Sequence, residues 1–368
     1  MKRIGLLTFS SNSNYGSWCL TYALYKAIND LGYDIEVINY YFAECEEKER
    51  LTVRSTIRLL KNWDGGKEDI EAIRQKWRIQ KGFDREKKRF WKVSKNRYMP
   101  HNIERANSKY DIFLIGSDLV WDHRFGGKSN NFFLDFAKDN KIKVAFSASS
   151  GYTAISFGDK EEKEFNRFLA GFDYIAVREP NLKQMLRGIY PNNIPVVCDP
   201  TMLLKNTEWE RFVHANTETK PYVLLYIVDS PRMFEIARHY AKKKGKEVLY
   251  IGDASPNKCI QIRRPSSVAD WISLIYHSDR VFTGSYHGLL FSIYFRKEFS
   301  FYFRSPLSRF SNLVEQLRLK EYDIDFVNFD LERRVNWKVV KQAEEKFRLF
   351  SKDALMEMLS VIDEKTYC

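Results

Sequence analysis

The chain has 368 residues, with 60 Lys and Arg against 48 Asp and Glu, a formal charge of +12. Hydrophobic residues at 44% and aromatics at 15% exclude a disordered chain, and the length gives room for two domains with their own cores. The basic balance favours anionic partners such as nucleic acid, phosphorylated small molecules or an acidic membrane face. Five scattered cysteines (Cys19, Cys45, Cys198, Cys259, Cys368) offer neither a disulfide framework nor a zinc-ligand spacing.

The run Ile4–Phe9 is continuously apolar, as a buried parallel strand should be. A polar loop, SSNSNYG, follows at once, so the N-terminus reads as strand and turn, not as a signal peptide. Leu20, Leu24 and Ile28 predict a helix from about Ser17 to Leu31, closed by Gly32, and DIEVINY is the next strand. This opening is βαβ with a glycine-bearing loop at the carboxyl end of the first strand. It lacks the glycine spacings of dinucleotide and P-loop sites. Residues 44–102 turn charge-dense, and apolar residues at helical spacing with a break at Gly65-Gly66 predict an inserted helical hairpin. Its basic surface, with Trp63, Trp77 and Trp91, is either a solvated face or a contact for an anionic partner.

Strands are expected again at 110–118, 143–151, 173–179 and 194–204, with helices at about 160–171 and Leu182–Gly188. A second alternating unit starts near Lys220: strand PYVLLYIVD, helix MFEIARHYAKKKG, strand EVLYIGD, helix SVADWISLIYHSD, strand RVFTG, helix SYHGLLFSIYFR and strand EFSFYF. The tail over about 333–362 is an amphipathic helix that either caps the second unit or crosses back to the first. The reading is α/β, with two Rossmann-like domains at 1–205 and 206–368 facing each other across a cleft. No apolar run approaches the ~18 residues of a membrane-spanning helix, so a cytoplasmic protein is expected.

Polar residues collect where strands end, at Asp118, Ser147 to Ser150, Arg178, Glu179 and Asp199, which is where ligands bind in open parallel sheets. Ser285, Tyr286, His287 and Gly288 occupy the mouth of a helix, where free N–H groups favour an anion. There His287 is held nearer neutral or donates to a bound anion, with Gly288 letting a ligand approach the backbone, or else the stretch is a helix cap with no ligand. Arg178 is suited to a carboxylate or phosphate, or else pairs with Glu179 or a helix carboxylate. Asp118 is a base or hydroxyl-binding group, or else caps the next helix. Lys297 is a cleft cation or a helix-dipole partner. Asn14, Tyr15 and Gly16 form a candidate anion- or sugar-binding turn. His277 reads as a satisfied helix-end residue, and His101, His123, His214 and His239 lack partners at catalytic spacing.

The order and spacing of GSDLVW (116–121), AFSASSG (145–151), AVREP (176–180), CDPTMLL (198–204) and GSYHGLLFSIYFRKEF (284–299) resemble the polysaccharide pyruvyl transferase family. The resemblance runs from the turn at 14–16 to about Leu317, with SYHG and SDLVW as small departures from the usual pattern. It implies a GT-B-like pair of domains, phosphoenolpyruvate as donor and transfer of its carboxyethylidene group onto two hydroxyls of a sugar. It further implies His287, Asp118 and Arg178 as catalytic residues. Arg178, Lys297, Ser285, Tyr286, Gly288, Asn14, Tyr15, Gly16 and Ser149 would bind substrate. No cofactor, metal or nucleic acid is expected, with donor binding on the C-terminal domain and the acceptor on the N-terminal one. The acceptor is a sugar, in one reading a lipid-linked saccharide at the inner membrane face, on which the basic hairpin would rest. A GT-B glycosyltransferase using a nucleotide sugar is the alternative.

Overall fold

The computed structural model describes residues 2–41, 67–122, 130–151, 159–252, 260–302 and 308–367. Its first sheet comprises β1 (Ile4–Leu7), β2 (Ile35–Tyr40), β3 (Val93–Tyr98), β4 (Ile112–Asp118), β5 (Ile142–Ala148) and β6 (Tyr174–Val177). All pairings are parallel, in the order β3-β2-β1-β4-β5-β6. The helices of this half are α1 (Tyr15–Asn29), α2 (Lys67–Phe90), α3 (Asp159–Ala170) and α4 (Pro180–Leu186). A short α5 (Asn206–Glu210) leads to the second half.

The second sheet holds β7 (Tyr222–Tyr226), β8 (Glu247–Ile251), β9 (Gln261–Arg263), β10 (Arg280–Thr283) and β11 (Glu298–Phe301). It is also parallel, in the order β11-β10-β7-β8-β9. Its helices are α6 (Pro231–Lys244), α7 (Val268–His277), α8 (Tyr286–Tyr294), α9 (Ser308–Gln316) and the long α10 (Trp337–Tyr367). Both orders reverse at the domain's first strand, β1 beside β4 and β7 beside β10. A parallel α/β sheet opens a crevice at such a reversal, because consecutive crossovers leave on opposite faces.

Local chemistry accounts for the element ends. Ser230 caps α6 by accepting from Met233 N, Pro231 takes its first position, and Gly245 (φ 63°) ends it in the left-handed conformation. The strands are buried on both faces, β1, β6, β7 and β10 throughout, which is why they read as unbroken apolar runs.

Three expectations are corrected. The 44–102 segment is not a helical hairpin over its described part: α2 is followed by β3, which adds an edge strand to the first sheet. Residues 42–66, including Trp63, lie outside the described residues. Trp91 is buried against Trp18 (ring centroids 4.9 Å apart), so it offers nothing to a membrane surface. The 194–204 run makes one isolated bridge, Val177 with Val196, and then a 3-10 turn at Pro200–Leu203 that Asp199 caps. Strand β9 carries too few apolar residues to have been read from the sequence.

Helix α10 crosses back to the first domain. Tyr174 Oη donates to Ala354 O (2.9 Å), Tyr33 Oη to Asp363 Oδ2 (2.7 Å) and Cys198 N to Ser351 Oγ (2.8 Å). The first turns of α10 also touch the second domain, where Arg296 Nη2 lies 3.0 Å from Glu344 Oε2, so the helix packs on both. Among the described residues no helix is long and apolar enough to cross a membrane.

Candidate active site

The crevices of the two sheets face each other, and the strand-end side chains meet there. The α1 entrance is built first. Asn14 caps α1 by accepting from Ser17 N (3.0 Å), and Ser17 Oγ donates to Asp118 Oδ2 (2.7 Å). Tyr15 donates from its hydroxyl to Pro265 O (2.6 Å) and stacks on Trp271 at 5.5 Å. Between them sits Gly16, where a Cβ would lie 2.1 Å from His287 Nδ1. A side chain of any size there would expel the imidazole, so the glycine is required by close approach.

Asp118 ends β4. Ser117 and Asp118 both take positive φ (24° and 70°), a conformation that an ordinary strand end does not need and that aims the carboxylate into the cleft. Its Oδ1 accepts from Arg309 Nη1 of α9 in the second domain (3.1 Å). Burial alone would raise the Asp118 carboxyl. Arg309, Arg178 and His287 outweigh it and hold it below the ordinary aspartate range.

Arg178 follows β6 and is buried, about 1% exposed. Its Nη2 lies 3.2 Å from Asp199 Oδ2 and donates to Ser117 Oγ. Of the two salt-bridge partners open to it, Glu179 or a helix carboxylate, Arg178 takes the second, the Asp199 carboxylate that caps the 3-10 turn. Nε and Nη1 remain buried without a protein partner among the described residues, an expensive state for a guanidinium. Glu179 turns away. Its Oε1 accepts from Ser149 Oγ (2.8 Å), Ser150 N (2.8 Å) and Gly151 N (3.1 Å), and burial pushes its carboxyl up despite these donors and Arg178.

Asp199 joins the two domains' chemistry. Its Oδ1 accepts from Thr201 N (2.9 Å) and Thr201 Oγ1 (2.6 Å), while Oδ2 lies between Arg178 and His287 Nε2, the latter at 3.5 Å. Burial would raise this carboxyl too, but Arg178 and His287 hold it well below the aspartate range. His287 is 9% exposed, on the first turn of α8, which Ser285 caps by accepting from Gly288 N (3.2 Å). Tyr286 lies against both arginines, 5.4 Å from Arg178 and 5.7 Å from Arg309 (guanidinium carbon to ring centre). Arg309 is held within a helix that also fixes the Arg178 backbone, since Asn312 Nδ2 donates to Arg178 O (2.9 Å).

The structure thus brings together Asp118, Arg178, Tyr286, His287 and Gly16, and it separates others. Lys297 precedes β11, at the amino ends of the parallel strands, whereas His287 follows β10 beyond their carboxyl ends. It lines a recess with Lys246, His277 and Asp279, and burial lowers its ammonium pKa. Gly288 serves packing and does not admit a ligand: a Cβ there would meet Thr283 Oγ1 at 2.6 Å and Tyr226 Cδ1 at 2.9 Å. Asn14, Tyr15 and Ser149 use their polar atoms to position other residues, and Ser285 is a cap. His277 Nε2 is 2.7 Å from His214 O, as expected of a helix-end residue, and His123 lies outside the described residues. Asp199 was visible as a strand-end acid but not as the residue linking Arg178 to His287. Arg309 carried no signal, since nothing in FSNLVEQ-type amphipathic sequence around it says that its helix lies over the other domain's strand ends. Among the described residues no group of acidic, His or Cys side chains is spaced to hold a metal ion.

Two Rossmann-like domains whose sheet reversals face one cleft form a GT-B-type α/β protein. Solved structures agree. The chain is similar to UDP-GlcNAc 2-epimerase of Methanocaldococcus jannaschii, in complex with UDP-GlcNAc and UDP. That match has a TM-score of 0.52 at 14% identity, covering 95% of this chain and 99% of that one. It is similar also to an alpha-glucosyltransferase in complex with UDP and a 13-mer DNA, with a TM-score of 0.50 at 11% identity, covering 98% and 99%. At these identities the likeness shows the fold alone. Residues 14–302 match the model of the polysaccharide pyruvyl transferase family, and the chain belongs to that family. No curated protein matches it.

Proposed function

We propose that the protein transfers the carboxyethylidene group of phosphoenolpyruvate to two hydroxyls of a sugar and releases phosphate. The observation that carries this reading is the convergence of Arg178 and His287, from different domains, on Asp199, with Gly16 leaving the imidazole room at the cleft.

Phosphoenolpyruvate carries a carboxylate and a phosphate. Nε and Nη1 of Arg178 are two buried donors with no protein partner among the described residues, suited to one anionic group. Arg309 is suited to the other. Both guanidiniums already face carboxylates, Arg178 through Nη2 and Arg309 through Nη1, so the site is not a bare cation cluster, and the bound anion takes the remaining donors of Arg178. That arrangement keeps the arginines fixed while the cleft is empty of donor, and it places a carboxylate beside each anion-binding group.

His287 then supplies a proton to the methylene carbon of the enol, with Asp199 orienting the ring. A sugar hydroxyl attacks the carbon that bears the phosphate, the C–O bond to phosphate breaks, and a second hydroxyl adds to close the ketal. Asp118, tied to Ser17 and Arg309, is placed to accept a hydroxyl proton. The two hydroxyls lose one proton each, one replacing that given to the methylene carbon and the other leaving on the phosphate, so the reaction balances without an oxidant or reductant. The sugar acceptor is proposed to be a saccharide under construction for a surface polysaccharide.

The test is incubation of the protein with phosphoenolpyruvate and aryl or lipid-linked galactosides. The expected product gains the mass of pyruvate less water, with one phosphate released per ketal. Transfer from UDP-sugars instead, with none from phosphoenolpyruvate, would replace this reading by a glycosyltransferase.

A further inference from the structure

Helix α2 grips the second domain at one place. Gly82 lies so close to the segment before α7 that a Cβ on it would be 1.8 Å from Ser266 O. One turn on, Glu86 is buried, about 6% exposed, and its two carboxylate oxygens accept from two backbone amides of α7: Val268 N (2.9 Å) and Ala269 N (3.2 Å). Ser267 Oγ accepts from the third, Asp270 N (3.1 Å). Gln75 Nε2, about three turns before Glu86 on α2, donates to Arg264 O (2.9 Å).

A helix begins with N–H groups that have no partner within it. In α7 two of these are satisfied only by a carboxylate from the other domain, and they are buried. A shift of α7 on α2 too small to admit water would leave two amides and one carboxylate buried and unpaired, each at a cost. This differs from an exposed ion pair, which water replaces at little cost.

The grip is connected to the site. Trp271, one turn into α7, stacks on Tyr15 and meets Phe291 of α8 edge-on at 4.8 Å. Tyr15 adjoins Gly16, against which His287 of α8 sits. Phe83, between Gly82 and Glu86, lies 5.3 Å from the Tyr15 ring. A change in the seating of α7 on α2 therefore changes the distance from His287 to Gly16 and Asp118.

We propose that Glu86 is a positioning residue: by capping α7 across the domain boundary it holds the two domains in the arrangement that brings His287 to Asp199 and Asp118. The charge-dense segment containing α2 thus acts as a strut of the active site and not as a solvated appendage. Only the activity arm of the test rests on the proposed transfer reaction.

The test compares wild type with Glu86→Gln and Gln75→Ala in the full chain, the latter being a milder cut at an exposed end of the same contact. Spin labels at Lys95→Cys and Arg238→Cys, both exposed and one in each domain, report the interdomain distance after Cys45, Cys259 and Cys368 are replaced, while Cys19 and Cys198 are buried. Expected are a single narrow distance distribution for wild type and a broadened, longer one for Glu86→Gln. With it comes a fall in kcat of about tenfold, with little change in the KM for phosphoenolpyruvate. Gln75→Ala shifts both in the same direction by less. Unchanged distances and unchanged kcat in Glu86→Gln would overturn the proposal, as would a lowered melting temperature with kcat intact, the signature of a purely structural contact. If Glu86→Gln does not fold, Gln75→Ala decides: an unaltered distance distribution counts against the strut. Absence of any transfer by wild type would remove the proposed reaction and leave the distance arm as the test of the grip.

Discussion

His287 is surrounded by groups that limit where its ring can go: the Gly16 backbone on one side and the Asp199 carboxylate on the other. Replacing it by alanine removes the proposed proton donor from an otherwise intact pocket. His287→Ala is expected to lower turnover about 100-fold or more, with an unchanged circular dichroism spectrum; turnover within a few-fold of wild type would dismiss the assignment. Gly16→Ala asks the same question without touching a catalytic atom. The added methyl overlaps the imidazole, so activity should fall steeply while chemical denaturation shows a cost of only about 1–3 kcal/mol. Asp199 differs from both. Removing it strands the buried Arg178 charge, so Asp199→Ala should destabilise the fold by about 3–5 kcal/mol in addition to impairing turnover, as urea titration would read directly.

At the scale of elements, the link between β4 and α9 is the Asp118–Arg309 pair, and its pH dependence has a definite sign. The Asp118 carboxyl is held below its ordinary range in the folded state. A depressed carboxyl contributes stability above the unfolded value, about 3.9, and loses it as pH falls through the folded value. The stability difference between wild type and Asp118→Asn should be constant above about pH 5 and shrink once the pH drops below about 4. A difference that persists unchanged to the lowest pH that leaves the protein folded would show that the pair contributes nothing. The elements themselves were largely legible. Each parallel strand is apolar on both faces, and each helix keeps an apolar stripe, so the strand–helix alternation stands in the sequence. The exceptions have physical reasons. Strand β3, VSKNRY, sits at a sheet edge where polar residues suffice, and 194–204 is apolar because it is buried under α10, not because it pairs as a strand.

For the whole molecule, α10 is the element that ties the chain's end to its beginning. Val340, Phe347, Ala354, Leu355, Met358, Leu359 and Ile362 are buried along it. At about 1.5–3 kcal/mol for each large side chain, their burial exceeds what a domain of this kind has to spare. A chain ending before Trp337 is therefore expected to lose cooperative thermal unfolding in calorimetry. A sharp transition within a few degrees of the full chain would mean that the first domain is complete without α10. The amphipathic pattern of the tail told of a helix with one apolar face. It left open which domain that face would cover, because both sheets present apolar surface of the same character.

The same division runs through the site. Sequence by itself determined the strand ends, and with them Asp118, Arg178 and the Ser285–Gly288 helix mouth, because in a parallel sheet polar residues that follow a buried strand can lie only at its carboxyl edge. It also carried the family, through the order of five motifs. What it could not hold is distance between elements far apart in the chain. Lys297 stands ten residues after His287, but it lies at the amino ends of the strands and not at their carboxyl ends, since a helix and a turn carry the chain back to start the next parallel strand. Arg309, unremarkable in sequence, and Asp199, legible there only as a strand-end acid, stand at the centre because two domains close face to face. Periodicity records which side of an element is buried; only packing decides what it is buried against.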